Sequence, residues 1–370
     1  MNIMPENKTK LVVLSAFYEP YMSGAEQMVK QVVENLGDFY DTTLITGLYN
    51  RELERFEKRK NFKIIRVGVG HRTIDKFLYP ILANFKIIKI KPDIIHAIME
   101  SYAGVALYFA KFVSHAKRIL TLQSGDLDDK RKQNNFFIKL FWKKIHKTPD
   151  TVTAISNFLR DRALRLGAKK ENVHVIPNGI DFNEIPGFLE KERNRVICVA
   201  RLSWEKGLDY LIKAWSDVLL KIPNAKLVIV GEGQKRKEIE EMIDTYKLHE
   251  SVLLMGNLPH KQTLEEISKS EVFICPSLAE GLGVVFIEAQ SCGVPAIGTR
   301  VGGIPDVIIN NHNGLLIEPR NAEEISRAII ELLENKDLRE EITKNANISV
   351  KKYSWHSILE KIHKLYQTCE

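Results

Sequence analysis

Two doubly wound, Rossmann-like α/β domains facing one cleft are the architecture this sequence predicts. Three observations carry that prediction. Short apolar runs of strand length alternate with helix-length segments of 3.6-residue periodicity in both halves of the chain. Glycine-containing turns stand at the C-terminal ends of those runs, where open parallel sheets receive ligands. A break at Asn183-Glu184-Ile185-Pro186-Gly187 separates the halves. The expected spans are 1–187, 188–352 and a terminal helix over 353–370.

A chain of 370 residues is comfortable for two domains. Its four cysteines are far apart and show no metal-binding spacing, so reduced thiols in an intracellular setting are expected. No run approaches the roughly 18 apolar residues of a membrane span, and Met1–Lys10 is polar, which argues against a signal peptide. The net charge of +7 is uneven: Lys and Arg outnumber Asp and Glu 30 to 20 in 1–187, then fall behind, 24 to 27. A basic first half suits an anionic partner: a membrane surface, a lipid phosphate or nucleic acid.

In chain order, Leu11–Ser15 is the first buried strand. It leads through Ser23-Gly24-Ala25-Glu26 into a helix with Met28, Val32, Val33 and Leu36 on one side. Gly24 at that helix start is a candidate anion contact, and without GxGxxG a nicotinamide site is a poor fit. Thr43–Thr46 and Phe62–Val67 read as strands, with a charged helix from Arg51 to Lys60 between them. Asp93–Ala97 is a strand with His96 near its C-terminal end, the end that faces a ligand crevice. Arg118–Gln123 is another, followed by Asp126, Asp128 and Asp129. Acidic loops are usually only solvated, so no metal is expected there. Lys130–Lys147 sets Phe137, Leu140, Phe141 and Ile145 at helical spacing among seven basic residues. A core-facing stripe is the commoner outcome, and a helix at a membrane interface is the alternative. Val152–Ser156 and Val173–Ile176 complete the first half.

The second half opens with strand Arg195–Ala200. Arg201 and Lys206 follow just before the next helix, where two cations can converge on a phosphate. Leu227–Val230 and Val252–Leu254 are strands, the latter leading to Gly256-Asn257-Leu258. The densest stretch is Val272–Val307. Strand Val272–Cys275 is followed by the turn Glu280-Gly281-Leu282-Gly283, a helix over Val284–Cys292 and a closing Gly293. Strand Val294–Thr299 comes next, then Val301–Pro305, where no regular structure is expected. Backbone N–H groups at Gly281, Leu282 and Gly283 make an anion site. Glu288, in the second helical turn, would lie near a sugar diol attached to that anion, and Glu280 on its open side. Ala322–Leu333 and a segment opened by Ser354-Trp355 read as the last helices.

Glu280 and Glu288 in Glu-x7-Glu spacing, Cys292-Gly293-Val294-Pro295, Gly302-Gly303-Ile304-Pro305 and Asn313-Gly314-Leu315-Leu316 together resemble the signature of retaining glycosyltransferases of family 4. The resemblance covers nearly the whole chain. Ser23-Gly24-Ala25-Glu26 resembles the family's GGAE loop, Pro177-Asn178-Gly179-Ile180-Asp181 its PNGxD turn, and Ala200–Gly207 its GRLxxxKG element. It implies the GT-B fold, with the terminal helix crossing back to the first domain, and transfer of a sugar from a UDP- or GDP-type donor to an acceptor hydroxyl, without a metal or other cofactor. It implies Glu280, Arg201 and Lys206 as the catalytic set, the cations holding the diphosphate. Gly24, Glu288, Gly281, Leu282, Gly283 and Leu258 would contact the donor, and His96, Gln123, Ser156 and Asn178 would lie on the acceptor or sugar side. Gln123 stands where the family commonly has His; an amide donates and accepts hydrogen bonds but carries no proton at neutral pH. No nucleic-acid partner is expected. The expected setting is cytoplasmic, with 130–147 touching an anionic membrane face. A nucleotide-sugar 2-epimerase of the same fold and a non-catalytic nucleotide-sugar-binding protein are the rival readings.

Overall fold

The structure, a computed structural model, describes residues 8–22, 24–124, 136–187 and 189–368. The chain forms two compact units: one of 1–178 with 355–370, the other of 179–354. The division thus falls at Asn178, before the Pro/Gly break.

The first unit holds eight strands: β1 (Lys10–Leu14), β2 (Asp41–Gly47), β3 (Phe56–Lys58), β4 (Phe62–Val67), β5 (Ile94–Ile98), β6 (Lys117–Leu122), β7 (Thr151–Ala154) and β8 (Val173–Val175). They form one sheet in the order β3-β4-β2-β1-β5-β6-β7-β8. All pairings are parallel except β3 with β4. Leu11 to Leu14 and Ile94 to Ile98 are continuous buried runs because strands covered on both faces have no solvent side. Helices α1 (Gly24–Leu36), α2 (Arg72–Ile90), α3 (Tyr102–Ala110), α4 (Phe136–Lys147) and α5 (Asn157–Arg165) pack around this sheet. The terminal helix Trp355–Gln367 returns to this unit, burying Ile358, Leu359, Ile362 and Tyr366 with Met28, Val29, Val32 and Val33 of α1. Each such side chain contributes roughly 1.5–3 kcal/mol when fully buried, which makes the terminal helix part of this core.

The second unit holds β9 (Arg195–Val199), β10 (Lys226–Val230), β11 (Val252–Gly256), β12 (Val272–Cys275), β13 (Ala296–Thr299) and β14 (Leu315–Ile317) in the order β11-β10-β9-β12-β13-β14, all parallel. Its helices are α6 (Leu208–Lys221), α7 (Arg236–Thr245), α8 (His260–Ser268), α9 (Val284–Ser291), α10 (Ile304–Val307), α11 (Ala322–Glu334) and α12 (Lys336–Ser349). The order reverses at β1/β5 in the first unit and at β9/β12 in the second. Those switch points, at the carboxyl ends of the strands, are where this class of sheet leaves a crevice.

The expected helix over Arg51–Lys60 is absent. Its place is taken by a turn and β3, which pairs antiparallel with β4 at the sheet edge. The segment lacks a 3.6-residue apolar stripe, and Glu57 bonds both Arg59 and buried Arg66 from the strand geometry. Charged side chains suit such an edge. The Val301–Pro305 stretch, expected to be irregular, starts α10, with Pro305 in its first turn, where the missing N–H has no intrahelical partner to lose. The described part of α4 turns its apolar side inward: Ile145 is buried and Phe141 lies 5.4 Å from the rings of Tyr108 and Phe109 on α3. Its Lys143, Lys144 and Lys147 are exposed.

Candidate functional site

The second unit gathers its chemistry at the β9/β12 switch point. Beyond β9 the chain stays tied to β10, with Ala200 N donating to Val230 O and Leu202 N to Glu232 O. The turn Trp204–Lys206 is a single 3-10 turn closed by Gly207. The carbonyl of Glu205 accepts from Leu278 N at 2.7 Å, which fastens this loop to the one after β12. Gly207 has a φ of 62°, and a Cβ there would meet Pro276 O at 2.3 Å, so only glycine permits the approach.

Two of the expected residues meet across these loops. Lys206 Nζ lies 2.6 Å from Glu280 Oε2, with the side chains only 15% and 17% exposed. Burial opposes the Lys206 charge, but the Glu280 carboxylate beside it outweighs burial and holds its pKa above the ordinary lysine range. Glu280 is fixed from behind by the Gly302-Gly303 turn: Gly303 N donates to Glu280 O at 3.1 Å. Gly302, at a φ of 54°, would place a Cβ 1.9 Å from that same oxygen. The paired glycines after β13 therefore position Glu280. Arg201 is 71% exposed and only loosely tied, its Nη2 being 3.3 Å from Glu205 Oε1. It is free to swing toward an anion.

Gly281, Leu282 and Gly283 lead into α9, with Gly283 as its N-cap in the left-handed conformation. The first N–H groups of such a helix lack intrahelical partners and present positive charge. Cys292 caps α9 and Gly293 follows at a φ of 67°, the C-terminal stop expected there. Glu288 projects from the second turn and is 17% exposed. It is partnered by a residue the sequence did not single out. His260, the first residue of α8, sets Nε2 2.9 Å from Glu288 Oε1 and Nδ1 2.9 Å from Glu184 Oε2. The hydrogen bond to Glu288 and the two carboxylate charges outweigh burial and push its pKa up to about 9, so it is an imidazolium donating to both. No spacing announces this bridge; the nearest signal is that His260 follows Leu258 closely, in the loop already marked. Leu258 is half-buried, and its carbonyl lies near Thr263 Oγ1.

The first-unit candidates are described by themselves. Gly24 opens α1 at the β1/β5 switch point, with open space around its Cα; Ser23 lies outside the described residues. Gln123 and Asn178 form a reciprocal amide pair, Gln123 Nε2 to Asn178 Oδ1 at 3.0 Å and Asn178 Nδ2 to Gln123 Oε1 at 2.9 Å. Both are buried. A buried ion pair, Glu100 with Arg162, holds the end of β6: Glu100 Oε2 accepts from Gln123 N, and Arg162 Nη1 donates to Ser124 O. Sequence reading missed this pair. Ser156 caps α5, its Oγ accepting from Leu159 N, and is fully buried.

His96 does not join them. It sits in mid-strand rather than at the end of β5, with Nδ1 2.6 Å from Tyr366 Oη and Nε2 2.6 Å from Thr121 Oγ1. Burial pushes its pKa down to about 3. A neutral ring with both nitrogens engaged ties β5, β6 and the terminal helix, and has nothing left to offer an acceptor. The Asp126, Asp128 and Asp129 loop lies outside the described residues.

Two family models match in succession: Glycosyltransferase Family 4 over residues 22–184 and Glycosyl transferases group 1 over 181–349. An uncharacterized glycosyltransferase of Methanocaldococcus jannaschii is 24% identical, covering 97% of this chain and 98% of its own. A human phosphatidylinositol N-acetylglucosaminyltransferase chain is 28% identical over 96% of this chain and 75% of its own. Among solved structures, a sucrose-phosphate synthase from Thermosynechococcus elongatus superposes with a TM-score of 0.85 at 20% identity, covering 97% and 98% of the two chains. Anabaena HepE, solved with UDP-glucose, gives 0.78 at 18% identity over 97% and 99%. Matched along its length by both halves of the family, this chain belongs to the family 4-type glycosyltransferases of GT-B fold.

Proposed function

We propose that this glycosyltransferase moves a sugar from a UDP- or GDP-type nucleotide sugar to an acceptor hydroxyl, retaining the anomeric configuration and using no metal. The observation that carries the reading is the Lys206–Glu280 pair, largely buried where β9 and β12 part, with the α9 N-terminus beside it. The sugar–diphosphate bond breaks with its electrons going to the diphosphate while the acceptor oxygen bonds to the anomeric carbon, and the acceptor's hydroxyl proton passes to an oxygen of the departing diphosphate. Lys206, Arg201 and the N–H groups near Gly283 stabilise that charge, so the leaving group needs no proton from a side chain. Glu280 binds the hydroxyls of the sugar in transit, and Glu288 the ribose diol.

UDP-glucose in the HepE structure supports a UDP-type donor. The name of the human relative, a phosphatidylinositol N-acetylglucosaminyltransferase, supports a lipid acceptor. We propose a setting at the cytoplasmic face of a membrane, with exposed Lys143, Lys144 and Lys147 toward anionic lipid. Among the described residues no helix is long and apolar enough to cross a membrane.

A nucleotide-sugar library read by thermal shift tests the donor, since a ligand that binds only the folded state raises its melting point. Donor consumption is then followed with and without a phosphatidylinositol or polyprenyl phosphate acceptor. Acceptor-dependent release of nucleoside diphosphate is expected. Conversion of the donor to its epimer without acceptor would overturn transfer, and binding without turnover would overturn catalysis.

A further inference from the structure

Helix α2 is built the wrong way round for a solvated helix. Its outward residues Ile74, Phe77, Ile81, Phe85 and Ile88 are 43–58% exposed and follow one another at three- and four-residue steps. They form a single apolar stripe about 21 Å long at 1.5 Å per residue. The inward face holds Asp75, Tyr79, Ala83, Asn84 and Ile87. Contiguous exposed apolar surface of this kind marks an interaction site, whereas scattered exposed side chains do not. At its C-terminal end the stripe continues onto the tip of α3: Ile88 and Val113 line one depression, and Phe112 beside it is 67% exposed.

The charge exposed along α2 itself is basic. Arg72, Lys89 and Lys91 are exposed, and Lys76 and Lys86 half-exposed. The one carboxylate of α2, Asp75, is buried and accepts from the N–H groups of Tyr49, Val69, Gly70 and His71. Asp93, at the edge of the depression, accepts from Lys10 N. We infer that α2 is a docking surface for an anionic lipid bilayer, its isoleucines and phenylalanines entering the interface while the basic side chains reach the headgroups. A second copy of the chain fits less well, because a two-fold contact through this face would set its cations against one another. Apolar residues flanked by Lys and Arg match the headgroup boundary, where lysine stems lie along the apolar layer and the ammonium stays wet. This surface does not depend on the donor chemistry, which is proposed for the other unit.

The test is sedimentation of the full chain with vesicles of phosphatidylcholine alone or mixed with phosphatidylserine, at low and high salt. The parent is expected to bind the mixed vesicles at low salt and to be released as salt rises. The double variant Ile81→Glu/Phe85→Glu should bind them about tenfold or more weakly, since two interfacial side chains are lost. Lys86→Glu/Lys89→Glu should lose the preference for phosphatidylserine. Leu220→Glu, 82% exposed on α6, should bind as the parent does. Circular dichroism checks that each variant is folded. In parallel, Phe85→Cys carrying a solvent-sensitive dye should shift to the blue on mixed vesicles, relative to the parent labelled in the same way. Failure of the parent to bind, sedimentation of Ile81→Glu/Phe85→Glu like the parent, or an unchanged dye spectrum would overturn the proposal. So would a dimeric parent that Ile81→Glu/Phe85→Glu makes monomeric.

Discussion

Replacing Glu288 with Gln preserves shape and hydrogen-bonding capacity and removes one charge. One carboxylate oxygen already serves His260 at 2.9 Å, and the side chain is 17% exposed, so the other oxygen is open to a ligand diol. A hydrogen bond to a charged acceptor contributes about 1.5–3 kcal/mol, against about 0.5–1.5 kcal/mol for a neutral one. Glu288→Gln should therefore weaken binding of a bare nucleoside diphosphate by about 1–2 kcal/mol, or about 5–30-fold. Isothermal titration with UDP and GDP in turn measures it, and the 2′-deoxy analogues complete a double-mutant cycle. The parent should lose a similar amount on the 2′-deoxy compound, and Glu288→Gln should lose little further. His260→Gln is the internal control, because a Glu288 effect that arose only from disturbing the imidazolium would be reproduced by it. Equal nucleotide affinity in the parent and Glu288→Gln, or fully additive losses, would refute the ribose assignment.

The His260 bridge carries its own pH signature. A folded-state pKa raised from 6.5 to about 9 gives stability that is fully present below about pH 6.5 and lost as pH rises through about 9. Solvent screens a ring that is 55% exposed, so thermal melts should show the parent ahead of His260→Gln by about 1 kcal/mol at the acid end and level at the alkaline end; a pH-independent gap would sink the assignment. Gly302→Ala forces a Cβ toward Glu280 O and should cost about 2 kcal/mol or more in denaturant unfolding, with turnover falling alongside. Turnover should survive saturating EDTA, and complete loss restored by Mg²⁺ or Mn²⁺ would shift the reading to the Asp126, Asp128 and Asp129 loop. Glu280→Gln should lower stability by about 2 kcal/mol by leaving Lys206 short of its carboxylate, and abolish most turnover. It should also bind bare nucleoside diphosphate at least as tightly as the parent, and weaker binding by titration would remove Lys206 from the phosphate site.

The parallel strands were legible because buried strands leave continuous apolar runs, and β12, α9 and β13 because cap glycines and short motifs crowd into one span. Helix α2 was not. Its apolar residues do recur at helical spacing, but Pro80 inside it removes an amide donor and reads as a helix breaker, so the segment was not singled out. Helix α3, whose YAGVALYFA run is buried nearly all round, has no periodicity to read. His96 shows the limit of placing a residue by strand position, because Tyr366, which claims its Nδ1, comes from the other end of the chain. The Glu184–His260–Glu288 bridge likewise joins residues distant in sequence, and only the fold brings them together.

Both carboxylates of the Glu-x7-Glu motif are thus held by cations that other loops deliver, Glu280 by Lys206 from beyond β9 and Glu288 by His260 from α8. In the proposed reaction, a diphosphate arriving at Lys206 would exchange one anionic partner for another. Its net affinity is the difference between two ion pairs, and the carboxylate it displaces is released toward the sugar at that same moment. The exchange also works in reverse. Once the sugar has gone, Glu280 loses its hydroxyl partners and competes again for Lys206, which weakens the hold on the spent nucleotide. On the proposed mechanism, a lysine kept charged beside Glu280 would therefore serve both ends of a turnover, stabilising the departing diphosphate and then letting it leave.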